Sequence, residues 1–469
     1  MVEDKLEKSD EFQSMRQTPS YGSDEGGKKL VREEGIASDI AKYRNYETLR
    51  RRFREYYFRH DKRIECPREI DQREFGFRYF VPNGELGKMI RHLTFKNEGE
   101  VLAAALRETP SDLYCSNAYY KYPSYQMQEK EWLGADLIFD IDAKDLLLPC
   151  QASHSYLICE TCLHAIKGGR QGSGRCQLCS SQNVVVESIP CRVCIDGTKK
   201  EVQKLVNVLI DDFGINNESI QIYFSGNEGF HLYVTDSHFL NLDAQARSDI
   251  SGYILGKGLM PETIGVYRRP VNIVGKKRVK TIHSTERILD RTVQGRNFYS
   301  ANPNKVDKIN DQNDFLIKLS KDGLKYGWQK RLLQKLEIKN YSEVRLRNIV
   351  QQKRGYYGFK SELDEIGKEL GINIDPQVTM DVHRIFRLPG TLNSKSGLAK
   401  IKCSDLHSFD PLSEACLLGD DMIKIRSTTS IKLILKENEF YVDENTTTSL
   451  PAYAAVYLVC KRLAAVAGA

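Results

Sequence analysis

The sequence predicts an α/β (α+β) fold, with mixed sheets flanked by helices, an inserted zinc-binding module and a helical subdomain. Three observations predict it. Asp136-Leu137-Ile138-Phe139-Asp140-Ile141-Asp142 alternates as a half-buried strand does, and Ile220 to Phe224 reads as a second strand. Lys199 to Phe213 instead sets Val202, Leu205, Val206, Leu209 and Ile210 on one helical face and stops at Gly214, a C-cap position. Between these elements the cysteines fall in Cys-x-x-Cys pairs, the spacing of metal ligands.

With 469 residues the chain has room for two to four domains. Charged residues make up 28% and hydrophobic ones 41%, a soluble-protein balance, and a net charge of +6 is too mild to establish a nucleic-acid partner. The N-terminus is acidic and lysine-rich, without a signal peptide's apolar run, and the longest apolar stretch is interrupted by Lys461-Arg462. These features predict a cytosolic, reducing compartment, where clustered cysteines bind metal rather than form disulfides.

Residues 1–37 hold almost nothing to bury and read as a disordered leader. The first part of a core follows over 38–149. It opens with a basic helix from Ile40 to His60, with Tyr43, Tyr46, Leu49, Phe53, Tyr56 and Tyr57 toward a core and arginines on the remaining surface. Strands are expected at Arg73–Phe80 and Ile90–Phe95, and a tyrosine-rich loop from Tyr114 to Tyr125. The aspartate strand then sets Asp140 and Asp142 side by side. Like charges there raise each other's pKa, so the pair suits a divalent cation, although a bare Asp-x-Asp also occurs as a polar strand end.

The module at 150–194 supplies Cys150, His154, Cys159, Cys162, Cys176, Cys179, Cys191 and Cys194, ligands enough for two tetrahedral zinc ions. Cys159, Cys162, Cys176 and Cys179, with a glycine-rich spacer, have the form of a zinc ribbon, inserted between Cys150/His154 and Cys191/Cys194. Four protein ligands leave no open position, so both ions would be structural.

The core resumes over 195–302. Ser225-Gly226-Asn227-Glu228-Gly229-Phe230-His231 joins two strands with free N–H groups, brings Ser225 near His231, and reads either as a phosphate cradle or as an ordinary hairpin. The basic stretch from Tyr267 to Arg296 suits a nucleic-acid backbone or a solvated loop. Residues 303–372 read as a charged helical subdomain with Leu332, Leu333, Leu336, Ile338, Val344, Leu346 and Ile349 as core candidates. Over 373–415, Asp375, Arg384, Arg387 and Lys395 surround a Pro389-Gly390 turn, and three residues is one helical turn, so both arginines could reach one anion. The extension at 416–469 holds a strand pair at Ile431–Val442 and an apolar helix at Tyr453–Val466 that docks on a partner or on the chain's own core.

With these pieces in order, the chain resembles the small catalytic subunit of archaeal and eukaryotic DNA primases over residues 40–410. Asp140-Ile141-Asp142 resembles the family's Asp-x-Asp. Ser225-Gly226…Gly229…His231 resembles its nucleotide motif, and Arg387-Leu388-Pro389-Gly390 with Lys395-Ser396-Gly397 its third motif. The resemblance implies template-directed two-metal nucleotidyl transfer that makes short primers on single-stranded DNA for replication. It selects Asp375 as the third carboxylate for Mg2+ or Mn2+, and Ser225, Gly226, His231, Arg384, Arg387 and Lys395 as the phosphate and sugar clamp. It adds Arg73 and Arg91 as nucleotide contacts, supports the Cys150/His154/Cys191/Cys194 zinc set, and implies a large primase subunit with an iron–sulfur domain, in the cytoplasm or, in a eukaryote, the nucleus. The sequence departs from the family at Glu228, where a basic residue is common, and at Asn393, where a histidine is. Two other readings stay open: a primase-polymerase of repair or restart that extends existing ends, and a zinc-ribbon nucleic-acid-binding protein with no active centre.

Overall fold

The computed structural model describes residues 25–59, 63–82, 86–168, 175–269, 271–274, 277–280, 314–318, 327–339 and 342–468. Helix α1 (Glu25–Arg59) begins well before Ile40, the good helix formers between Lys28 and Glu34 extending it backward. The expected leader therefore ends in helix over 25–37, and its first 24 residues lie outside the described ones. Leu49, Phe53, Tyr56 and Tyr57 are buried as their spacing predicts, whereas Tyr43 is 53% exposed.

Strands β1 (Phe75–Arg78) and β2 (Ile90–Leu93) precede α2 (Glu98–Glu108), whose first turn is capped by Asn97 accepting the Glu100 N–H. The first part of the expected tyrosine loop is instead strand, β3 (Asp112–Ser116) and β4 (Ala118–Tyr120), in keeping with the preference of aromatic residues for a pleated, half-buried surface, while residues 121–125 form a turn as expected. Next come β5 (Trp132–Ala135) and the aspartate strand β6 (Leu137–Asp142). The cysteine module adds β7 (Ser155–Cys159), β8 (Ala165–Lys167) and β9 (Val184–Ser188) in the order β8-β7-β9. Helix α3 (Arg192–Asp211) starts seven residues before Lys199, so that Cys194 lies in its first turn.

The cradle is a hairpin of β10 (Ile220–Phe224) and β11 (Gly229–Val234), followed by α4 (Ala244–Ile254). Strand β12 (Val266–Arg268), the hairpin of β13 (Val271–Val274) and β14 (Lys277–Lys280), and β15 (Phe315–Ile317) come next. Most of the basic stretch from Tyr267 to Arg296 lies outside the described residues. Helices α5 (Gly327–Lys335), α6 (Glu343–Gln352) and α7 (Tyr356–Leu370) then enclose a second core with Leu259, Ile264 and Val266, so this packing unit begins before residue 303. Leu332, Leu333, Ile338 and Leu346 are buried there, but Val344 sits on the outer face of α6 and is 70% exposed.

The short helix α8 (Pro376–Met380) leads to β16 (Ile385–Arg387) and β17 (Ile401–Lys402). After α9 (Pro411–Glu414) the chain ends with β18 (Met422–Ser427), β19 (Ile431–Leu435), β20 (Asn438–Val442), β21 (Thr447–Pro451), α10 (Ala452–Cys460) and β22 (Ala464–Val466). The apolar helix is therefore shorter than expected and gives way to a strand. Its residues lie in the same core as α1, α3 and the central strands, so the extension docks on its own chain.

Two four-stranded antiparallel sheets position the site: β16-β3-β1-β2, and β17-β10-β11-β6. Each is assembled from segments far apart in sequence. Leu137, Phe139 and Ile141 are fully covered on one face of β6, each contributing roughly 1.5–3 kcal/mol, which fixes the register and leaves Asp140 and Asp142 on the other face.

Candidate active site and metal centres

β6 pairs with β11 so that His231 faces Asp140 and Gly229 faces Asp142. Gly229 is required here, because a Cβ at that position would collide with the Asp142 side chain and the Ile141 carbonyl. The Asp140 Oδ1 lies 3.4 Å from His231 Nε2 but, though buried, accepts no hydrogen bond. Burial, then the neighbouring Asp142, and more weakly Asp375, push the Asp140 carboxyl well above the usual carboxylate range, against the pull of Lys144 and Arg384. Burial, helped by Lys400, Arg387 and Arg384, holds His231 well below the usual imidazole range, so it faces Asp140 as a neutral ring.

Asp375 reaches this strand through its backbone. Its N–H donates to the Asp140 carbonyl at 3.0 Å, while its carboxylate caps α8 by accepting the Gln377 N–H at 2.9 Å. Lys144 Nζ sits 2.9 Å from Asp142 Oδ2 and supplies a counter-charge. Arg384 acts electrostatically on both Asp140 and His231.

The third-motif turn packs directly on the cradle. Gly226 has φ +84°, and a Cβ there would come within 3.1 Å of both the Asn393 Cβ and the Leu398 carbonyl oxygen. Asn393 Nδ2 donates to the Ser225 carbonyl at 3.4 Å, and Ser396 Oγ donates to the Gly226 carbonyl. Asn393 thus holds the cradle in shape. The Ser225 hydroxyl is itself engaged, accepting the Gly229 N–H at 3.3 Å. Lys395 is exposed at the turn's tip, its N–H held by the Asn393 side chain at 3.0 Å. Glu228 points away from the cradle toward the cysteine module, accepting the Ser188 hydroxyl at 2.6 Å.

The arginines differ from expectation. Arg384 and Arg387 do not share a helical turn, because Arg387 ends strand β16, where residues three apart point to opposite faces. Arg387 is buried, paired with Asp112 at 2.6 Å and donating to the Leu392 carbonyl at 2.7 Å. Arg73 is also buried, held by Asp136 at 2.7 Å and by the Ser116 and Asn117 carbonyls. Arg91 pairs with the fully buried Glu74 at 2.7 Å and donates to the His383 carbonyl, one residue before Arg384.

Sequence reasoning did not single out Lys400, which is fully buried and donates to the Tyr233 hydroxyl at 2.7 Å and to the Arg387 carbonyl at 2.8 Å. Burial, with Arg387 beside it, brings its pKa down to about 7. The one sequence signal was a lysine within the apolar run Leu398-Ala399-Lys400-Ile401. Lys461 at the end of α10 was missed as well, and it reaches the cradle by donating to Asn227 Oδ1 at 2.8 Å.

The cysteine module forms two groups, Cys150/His154/Cys191/Cys194 and Cys159/Cys162/Cys176/Cys179, each with its ligand atoms within 4.8 Å of one another. Within them Cys150 and Cys194 sulfurs are 3.5 Å apart, Cys194 Sγ lies 3.3 Å from His154 Nε2, and Cys159–Cys179 and Cys162–Cys176 are each 3.6 Å. Thiolates 2.3 Å from a shared tetrahedral centre stand about 3.8 Å apart, so both groups could hold zinc. Among the described residues, the three carboxylates do not converge so closely.

Residues 186–402 match a family described as DNA primase small subunit. The DNA primase small subunit PriS of Nitrosopumilus maritimus (strain SCM1) is 38% identical over 417 residues, 88% of this chain and 97% of that protein. That of Cenarchaeum symbiosum (strain A) is 37% identical over 417 residues, with the same coverage of each chain. The PriS of Archaeoglobus fulgidus is 29% identical over 420 residues, 88% of this chain and 96% of the relative.

Proposed function

The chain belongs to the DNA primase small-subunit family, and from that premise we propose that it joins nucleotides on a single-stranded DNA template to make short primers for replication. The observation that carries this reading is the pair Asp140 and Asp142 on one strand, with Asp375 tied to that strand by its backbone N–H, His231 opposite and the third-motif turn laid on the cradle.

Asp140 Oδ1 is a buried carboxylate oxygen without a hydrogen bond, among like charges, and that environment fits a cation. Asp140, Asp142 and Asp375 would hold Mg2+ or Mn2+, which when bound activates a 3′-hydroxyl and stabilises the pyrophosphate leaving group. Around that centre, His231, Arg384, Lys395 and the Ser225-Gly226 backbone bind and orient the triphosphate, and Arg387, fixed by Asp112, sets the turn that carries Lys395. Neutral His231 donates a hydrogen bond without adding charge. Arg91, through Glu74 and the His383 carbonyl, positions Arg384.

The two cysteine groups hold structural zinc. Single-stranded DNA and nucleoside triphosphates are the substrates, and a large subunit carrying an iron–sulfur domain is the partner. No described helix is long and apolar enough to cross a membrane, and a cytoplasmic location fits archaeal relatives. The test is de novo synthesis on a single-stranded template. Asp140→Ala or Asp142→Ala is expected to lower it by on the order of 10³ or more, several kcal/mol of lost transition-state stabilisation. Undiminished synthesis by either variant would refute the assignment.

A further inference from the structure

A cavity of about 390 Å³ lies between the two central sheets, taking Cys115 and Phe386 from one and Ile138, Tyr223 and Tyr233 from the other. Asp140, Asp375, His231 and Arg384 do not line it. It adjoins the active site all the same. Phe386 lines the cavity and also packs edge-on against His231, with ring centroids 5.5 Å apart. Asp136 lines it too and precedes Asp140 by four residues of extended chain, about 13 Å.

Most charges around the cavity are already matched. Arg73 is paired with Asp136, whose other oxygen accepts the Tyr119 hydroxyl at 2.9 Å, and Arg387 is paired with Asp112. Glu65 accepts the Tyr223 hydroxyl at 3.1 Å. Arg68 and Lys402 remain with that Glu65 carboxylate, all three exposed at the rim and none with an ion-pair partner among the described residues, so two positive charges outweigh one negative and the rim is net positive. Deeper in the wall, Asn117 is 2% exposed, and its Nδ2 donates to the Asp381 carbonyl at 3.1 Å. Its buried Oδ1 accepts nothing. A buried acceptor left without a donor costs about 1–3 kcal/mol, so the site favours a ligand that supplies one.

We propose that this cavity is a second nucleotide site, separate from the triphosphate clamp, that takes a nucleoside monophosphate. The base lies among the Tyr223, Tyr233 and Phe386 rings, its amino group donates to Asn117 Oδ1, and its phosphate meets Arg68 and Lys402. The volume falls within the range of small-molecule sites. Because Phe386 touches both the ligand space and His231, occupancy would be felt at the catalytic strand.

The experiment is calorimetric titration of AMP into the full chain without added Mg2+ or Mn2+. Saturable binding at micromolar to millimolar AMP is expected, weakened at least roughly tenfold by Arg68→Glu/Lys402→Glu and unchanged by Arg384→Ala/Lys395→Ala. Unchanged melting temperatures would show that the exposed substitutions leave the fold intact, and Thr235→Trp, which fills the cavity, gives an independent block. Absence of saturable AMP binding would overturn the proposal. So would binding lost in Arg384→Ala/Lys395→Ala but retained in Arg68→Glu/Lys402→Glu, since AMP would then occupy the triphosphate clamp.

Discussion

In the module between residues 150 and 194 the ligand atoms draw together unaided, whereas Asp140 and Asp142 on β6 and Asp375 at the start of α8 stand apart and Asp142 leans on Lys144 instead. The difference follows from charge. Thiols and a neutral imidazole can sit 3.3 to 3.6 Å apart without repulsion. Two carboxylates about 4 Å apart repel by about 4 kcal/mol at an effective dielectric of 20. A structural metal site can therefore be built by the fold, while a catalytic one keeps its charges separated, open and in need of a cation. Removing a ligand from the first should cost stability, and removing one from the second should cost chemistry.

The largest effect on stability falls in the cysteine module. Cys191→Ser/Cys194→Ser should lower zinc content from two per chain to one and destabilise the protein by on the order of several kcal/mol, read by metal analysis and thermal melting, because Cys194 is buried in the first turn of α3, whose Ile195, Val202 and Leu205 belong to the core around β6. Cys176→Ser/Cys179→Ser should lose the other ion with a smaller change in melting, since Cys179 is exposed at the module's edge. Equal destabilisation by both pairs would break the distinction between the inner and outer groups.

Lys400 gives an effect of intermediate size. Its folded pKa of about 7 lies below the usual 10.5, so the unfolded chain binds the proton more tightly between those values, and stability should rise with pH across that window. Lys400→Met should flatten the rise in melting temperature between pH 7 and 9 (roughly the accessible part of that window). A slope identical to that of the parent protein would contradict the assignment. The smallest effect is expected at Glu228→Gln, which weakens the Ser188 hydrogen bond and should cost about 1 kcal/mol in denaturant titration, with zinc content unchanged.

How far the sequence could be read depended on whether the signal was local. The β6 alternation, the β10–β11 hairpin and the two cysteine groups are spelled out within a few residues, and they form where the pattern places them. Arg384 and Arg387 were misjudged because spacing by three has one meaning on a helix and another at the end of a strand. Glu228 stands where the family commonly has a basic residue, and what it does instead is set by Ser188, forty residues away. Tertiary contacts of this kind, like the Asp112 that fixes Arg387 or the Lys461 that braces Asn227, leave no periodic trace.

The central claim, that an aspartate far along the chain completes a catalytic centre on β6, is tested most directly with Asp375→Ala. Template-directed nucleotide incorporation on single-stranded DNA should fall by on the order of 10³ while zinc content and melting temperature stay near those of the parent. Full incorporation by Asp375→Ala would contradict the account.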